Sequence, residues 1–235
     1  MPAVSFDSKS FLLQSGRGKA VRFPLVAASF DATLIDRSDW SSVLAELRQA
    51  GFNSVVIRVP WLIHEPTPGR FAFDGDRSVR DAVVAAGAAG LKVALRIGPC
   101  VGGSFARGGL PAWISEFAGD RVREANPAFL DRVSRFWRRV ADEFVDLQAT
   151  RISSGNRSPR PVIAVGIEDD WRCLDAKVGD AYFASLVRFA REVGVEVPLF
   201  TANSCWYAHD GMIDGWLNPV EIGRTVDELR QVHLD

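Results

Sequence analysis

The chain has 235 residues, enough for one large domain or two small ones, and its 47% apolar and 24% charged residues are the balance of a globular protein with a substantial core. A formal net charge of -1 with scattered basic residues argues against nucleic acid or an anionic membrane as a partner. No apolar stretch reaches the roughly 20 residues that span a bilayer.

Three cysteines, Cys100, Cys173 and Cys205, lie far apart and in no metal-ligand spacing. The expectation is therefore no disulfide framework, no metal and no cofactor. The N-terminal "MPAVSFDSKSFLLQ" lacks the basic start and apolar run of a secretory signal, which predicts a cytoplasmic protein.

In chain order, the same unit recurs: a short apolar run, a polar corner, then an amphipathic helix. Strands are predicted at 23–29, 54–59, 92–97, 161–167 and 197–202, with a weaker sixth at 211–216. Most of these runs are continuous in Val, Ile, Leu and Ala rather than alternating, as in strands covered on both faces of a parallel sheet. Helices are predicted over 36–51, capped by Ser38 or Asp39 and stopped by Gly51, and over 76–90, ending at Gly90. Another begins at Asn126, with Pro127 at its first helical position, and a fourth spans 180–194. Alternating strands and helices mean either a doubly wound sheet or a (β/α)8 barrel. No G-x-G-x-x-G or P-loop is present, so a nucleotide-binding sheet loses its usual sign.

In a barrel the chemistry sits at the C-terminal ends of the strands. There the sequence gathers Arg58, Trp61, His64, Glu65, Arg96, Glu168, Asp169, Asp170, Trp171, Asn203 and Trp206. Aromatic faces beside carboxylates suit a sugar, whose C–H face packs on a ring while acids take its hydroxyls. The same residues also admit plainer readings. Asp169 and Asp170 can be solvated charges where the chain leaves the core. Glu168 can anchor backbone or Arg96, and Arg58 with Arg96 can form a structural ion network. Trp61, Trp171 and Trp206 serve either a pocket wall or packing; His64 reads as a shoulder of the second strand rather than a base.

The segments "AGFNSVVIRVPWLIHEPTPGRFAFDG", "GLKVALRIGPCVGGSFARGGLPAWI", "PVIAVGIEDDW" and "GVEVPLFTA" resemble, in order and spacing, the catalytic barrel of glycoside hydrolase family 35, the β-galactosidase-like enzymes. Val59-Pro60-Trp61 with His64-Glu65-Pro66, and the run Gly108 to Trp113, are its most specific parts. The resemblance implies that residues 1–235 form one β-galactosidase-like domain of (β/α)8 TIM-barrel type, incomplete, with about six βα units present. It also implies a galactose-like sugar at the strand ends.

At the fourth strand that family carries Glu-Asn-Glu-Tyr, its second glutamate being the general acid/base. Here the segment reads Glu168-Asp169-Asp170-Trp171, so Asp170 takes the catalytic position with a side chain one methylene shorter. Arg58 stands at the family's tyrosine, and Gly102-Gly103-Ser104 at its sugar-holding Cys-Ala-Glu. Asp170 is thus the candidate catalytic residue, and Asp169, Glu168, Arg58, Trp61, Ser104 and Trp171 are candidate substrate contacts. The family's nucleophilic glutamate ends a seventh strand that would follow Asp235. The expected function is a divergent glycoside hydrolase homologue with hydrolysis of a galactoside-like sugar altered or lost. The alternative is a non-catalytic carbohydrate-binding or scaffold protein, with a homo-oligomer or another partner covering the open barrel edge.

Overall fold

A computed structural model describes residues 3–7, 10–14, 19–102, 104–150, 159–171 and 176–202. The chain opens on a three-stranded antiparallel sheet that the sequence pattern did not announce: β1 (Val4–Phe6), β2 (Phe11–Leu13) and β3 (Val21–Phe23), in that spatial order. Val4 and Phe11 are buried in the main apolar core, so this meander is fastened to the rest of the fold. The single strand expected over 23–29 is instead broken. β3 stops at Phe23 and β4 (Ala27–Ser29) begins a second sheet. Pro24 has no N–H to continue a ladder, and the Asn53 side chain latches the corner. Its Nδ2 donates to the Pro24 carbonyl at 2.7 Å, and its Oδ1 accepts from the Val26 amide at 3.0 Å.

From β4 onward strands and helices alternate as α1 (Trp40–Gln49), β5 (Ser54–Arg58), a short α2 (Trp61–His64), α3 (Val79–Ala88), β6 (Lys92–Arg96), α4 (Ile114–Ala118), α5 (Pro127–Phe144), β7 (Val162–Asp169), α6 (Ala176–Glu192) and β8 (Leu199–Ala202). All five strands are parallel, and their spatial order β4-β5-β6-β7-β8 is their sequence order. A doubly wound sheet reverses its strand order at a switch point. Monotonic order excludes that arrangement and leaves the (β/α) barrel type. The run at 211–216, with Asn203 and Trp206, lies outside the described residues.

Local chemistry explains the helix ends. The Ser78 hydroxyl accepts from the Asp81 amide at 3.2 Å to cap α3, and Asn126 Oδ1 accepts from the Ala128 amide at 3.0 Å to cap α5, with Pro127 just inside. The expected Ser38 or Asp39 cap is not made by a side chain; a 3₁₀ turn over Arg37–Asp39 feeds α1 directly. Gly51, at φ +97°, turns the chain out of α1 in a conformation that other residues resist. α5 buries the stripe Phe129, Val133, Phe136, Trp137, Val140 and Phe144 against the strands. Every residue of β7 is buried, so the sheet is covered on both faces there. No helix among the described residues is long and apolar enough to cross a membrane.

Candidate functional site

Strand register decides what meets at the C-terminal ends. β5 and β6 pair Arg58 directly beside Arg96, and β6 and β7 pair Arg96 with Gly166. Two guanidinium groups side by side repel one another, so each needs its own acid. Arg58 forks onto Asp31 in the segment after β4: its Nε donates to Oδ1 at 2.7 Å and its Nη2 donates to Oδ2. Its third nitrogen, Nη1, donates to the Ser104 hydroxyl at 3.1 Å, and the guanidinium lies 5.1 Å over the Phe105 ring. Arg96 Nη1 donates to Asp169 Oδ2 at 2.5 Å, with 7% and 2% of the two side chains exposed.

Gly102 lets this network form. At φ +106° it holds a conformation other residues resist, and a Cβ there would lie 2.9 Å from Asp169 Oδ2 and 3.6 Å from Arg58 Nη1. The backbone passes so close to the ions that a side chain has no room. The small residues in the Gly102 to Ser104 segment thus accompany the arginine at position 58.

β7 continues past Ile167, where the strand was expected to end. Glu168 pairs with Thr201 and Asp169 with Ala202 of β8. Both acids are buried, at 1% and 2% exposure, which overturns the reading of Asp169 as a solvated strand-end charge. Glu168 is enclosed by protein donors. Tyr182 donates its hydroxyl to Oε2, Arg123 Nη2 donates to Oε1 at 3.1 Å, and the Asp169 amide donates to Oε1 at 2.9 Å. Burial and the Glu168 charge push the Tyr182 phenol well above its ordinary pKa, so it remains a donor. Glu168 therefore anchors on Arg123 and Tyr182 rather than on Arg96. Asp170 follows as the first residue beyond β7, partly exposed and at φ +47°.

The tryptophans expected at the pocket wall have their faces covered by protein. Trp61 is fully buried, stacked on Phe136 at 5.0 Å and met edge-on by Trp113 at 5.7 Å. Trp171 is 5% exposed, packed on Tyr182 and Phe183, and its Nε1 donates to the Arg123 carbonyl at 2.9 Å. Indole burial against other rings is the commoner fate of a large apolar side chain beside a core. Ser104 is exposed, and Arg58 is about nine-tenths buried. Arg123, which touches three of the four residues from Glu168 to Trp171, was not among the sequence candidates. It lies in the loop before α5, where no periodicity or motif marks it.

Cys100 is a free, buried thiol pushed up to about 12 by burial and then by the Glu168 charge, so it stays protonated near neutrality and is no nucleophile. His64 is buried too. Its Nδ1 donates to the Ala72 carbonyl at 2.9 Å and its ring stacks on Phe73 at 4.8 Å. Burial first, then the nearby Arg77 and Arg139 charges, holds its pKa down to about 4, against a partial lift from the Ala72 bond. The unfolded chain thus takes up a proton on His64 near pH 6.5 that the folded chain refuses until about pH 4. Stability is full above pH 6.5 and falls as pH drops through that window, by roughly 3 kcal/mol from this group. Urea unfolding across the window checks it: a His64→Gln variant should show a flatter slope, and an unchanged slope would assign the effect elsewhere.

A sequence model of glycosyl hydrolases family 35 matches residues 18–225. The chain is similar to a beta-galactosidase of Mus musculus, 32% identical over 200 residues that cover 83% of this chain and 30% of that protein. It is also similar to a beta-galactosidase of Homo sapiens, 29% identical over 222 residues covering 94% of this chain and 31% of that protein. The chain therefore spans about a third of the length of these curated relatives. Among solved structures, an exo-beta-1,4-mannosidase from Opitutaceae bacterium strain TAV5 superposes with a TM-score of 0.59 at 19% identity, covering 84% of this chain and 34% of the other. Endo-glycoceramidase II from Rhodococcus sp. gives 0.57 at 17% identity, covering 85% and 55%. At such identities these two likenesses speak to the fold alone, the (β/α)8 TIM-barrel type. With the family model extending from before β4 to beyond β8, and the parallel strands in barrel order beneath it, the chain belongs to glycosyl hydrolases family 35.

Proposed function

We propose that the chain holds a saccharide at the C-terminal ends of its strands. We read it as a divergent β-galactosidase-like hydrolase whose cleavage of a galactoside-like sugar is altered or lost. The observation that carries this reading is the difference in burial among three successive acids: Glu168 and Asp169 are shut from solvent, whereas Asp170 is partly exposed at the end of β7. In hydrolysis Asp170 gives its proton to the glycosidic oxygen as the bond to the anomeric carbon breaks, is left as a carboxylate, and takes a proton back from the water whose oxygen bonds to that carbon. Arg58 and Ser104 line the neighbouring strand ends and, with Asp169 behind them, shape the polar wall.

An aspartate in place of the family's glutamate withdraws the carboxyl by about an ångström, a displacement that costs on the order of a hundredfold in rate. Asp170→Asn should abolish turnover of an aryl β-galactoside, and Asp170→Glu should raise it. Turnover that Asp170→Asn leaves intact removes Asp170 from the mechanism.

A second reading, a non-catalytic carbohydrate-binding or scaffold protein, is favoured by the ion pairs themselves. Asp31–Arg58, Asp169–Arg96 and Glu168–Arg123 put mutually neutralised groups where the resemblance expects sugar-binding side chains. Saturable thermal stabilisation by galactosides without turnover would select it. Among the described residues β4 and β8 are the outermost strands of this sheet, and their outer edges are where a strand partner or a second copy would add. The buried free thiol of Cys100 suits a reducing, cytoplasmic setting, and residues 1–235 are taken as one domain.

A further inference from the structure

We propose that Arg123 is the positioning residue that sets the conformation of Asp170, and so decides whether its carboxyl can serve a bound sugar. The inference rests on the reading of Asp170 as the proton donor. Arg123 stands 45 positions before Glu168 in sequence, yet its Nη2 donates both to Glu168 Oε1 at 3.1 Å and to the Asp169 carbonyl at 2.6 Å. That carbonyl belongs to the peptide unit joining Asp169 to Asp170, so the bond fixes the plane from which Asp170 departs. On the other side, the Arg123 carbonyl accepts from Trp171 Nε1 at 2.9 Å. Asp170 is therefore bracketed: the peptide plane before it and the indole after it are both tied to one residue.

The bracket closes through Glu168. Its Oε1 accepts from Arg123 and from the Asp169 amide, while Tyr182 takes Oε2. A buried carboxylate with both oxygens engaged is a rigid post, and the guanidinium links that post to the turn. Both Arg123 and Asp170 sit in the left-handed region, at φ +60° and +47°. Such conformations of non-glycine residues persist when surrounding contacts over-determine them. Here each helps to hold the other.

Lysine cannot replace this arginine fully. Its ammonium keeps the charge beside Glu168 and has donors enough for both oxygens that Arg123 Nη2 serves, but it lacks the rigid guanidinium plane that fixes the direction of the two bonds.

The test compares the full chain with Arg123→Gln, Arg123→Lys and Asp170→Asn, using methyl β-galactoside, whose leaving group needs a proton, and nitrophenyl β-galactoside, whose leaving group needs little help. Arg123→Gln is expected to lower kcat on the methyl glycoside by about a hundredfold with KM little changed, to harm the nitrophenyl glycoside less, and to be partly rescued in Arg123→Lys. Equal losses on both substrates, or no loss, overturn the inference. Hydrogen exchange supplies a readout that needs no activity. In Arg123→Gln the Asp170 amide and the Trp171 indole N–H should exchange faster while α5 keeps its protection. Uniform acceleration across α5 and 169–171 would mean a merely structural role and overturn the inference in the same way. An Asp170→Asn variant with unchanged turnover sinks the proton-donor reading instead, and the exchange result still judges Arg123.

Discussion

Asp169→Asn is expected to cost about 3–5 kcal/mol of stability, the scale set by leaving one member of a buried ion pair uncompensated. The aspartate exposes 2% of its side chain and Arg96 7%, so water cannot replace the lost carboxylate charge. Arg58 lies beside Arg96 on the neighbouring strand, which adds a like charge to the one left unbalanced. An asparagine preserves the shape next to Gly102, so the loss reports charge rather than a cavity. The Arg96→Gln variant should lose a comparable amount by removing the guanidinium with which Asp169 pairs. The double variant should lose much less than the sum, because a neutral amide pair carries neither charge. Equilibrium urea unfolding of the four proteins gives the coupling directly. Losses under about 1 kcal/mol, the range of exposed pairs such as Arg135 with Asp131, would show that the pair is solvated.

Trp61→Ala should cost a similar amount, about 3–5 kcal/mol, and lower the melting temperature on the order of 10 °C. The indole has three aromatic neighbours in Phe129, Phe136 and Trp113, and none of its surface is exposed. Its Nε1 also donates to Glu65 Oε2 at 2.7 Å, while Glu65 Oε1 accepts from the Gly69 amide at 2.7 Å. Removing the ring leaves a cavity and takes one donor from a buried carboxylate. Trp61→Phe separates the two, keeping much of the packing while losing the donor. Differential scanning calorimetry of the two variants measures both losses, and saccharide titration shows whether ligand affinity moves with them. A pocket-wall tryptophan would instead lose ligand affinity with little change in melting temperature.

These two sites show how far residue order carries and where it stops. The five strands from β4 to β8 were legible because continuous apolar runs, and helix starts and stops such as Asn126-Pro127 and Gly51, depend on near neighbours. The broken strand at Pro24 was missed because its latch, Asn53, lies far along the chain. The N-terminal meander was missed because its strands are three residues each, too short to show a period. Trp61 was placed on the wrong side of its strand end. Its motif names its position along the chain, but α2 turns the ring down onto α5 rather than up toward solvent.

The order of apolar runs and polar corners determined a parallel sheet joined by helices, whose barrel order the structure then decided, and brought Arg58, Arg96 and the acids of 168–170 to one end of it. It did so because parallel strands joined by helices must all point the same way. Which acid meets which arginine was decided only by tertiary structure. Strand register put Arg58 beside Arg96, a left-handed backbone at Arg123 itself turned that residue toward Glu168, and burial made each charge seek a partner whose distance along the chain the sequence does not disclose.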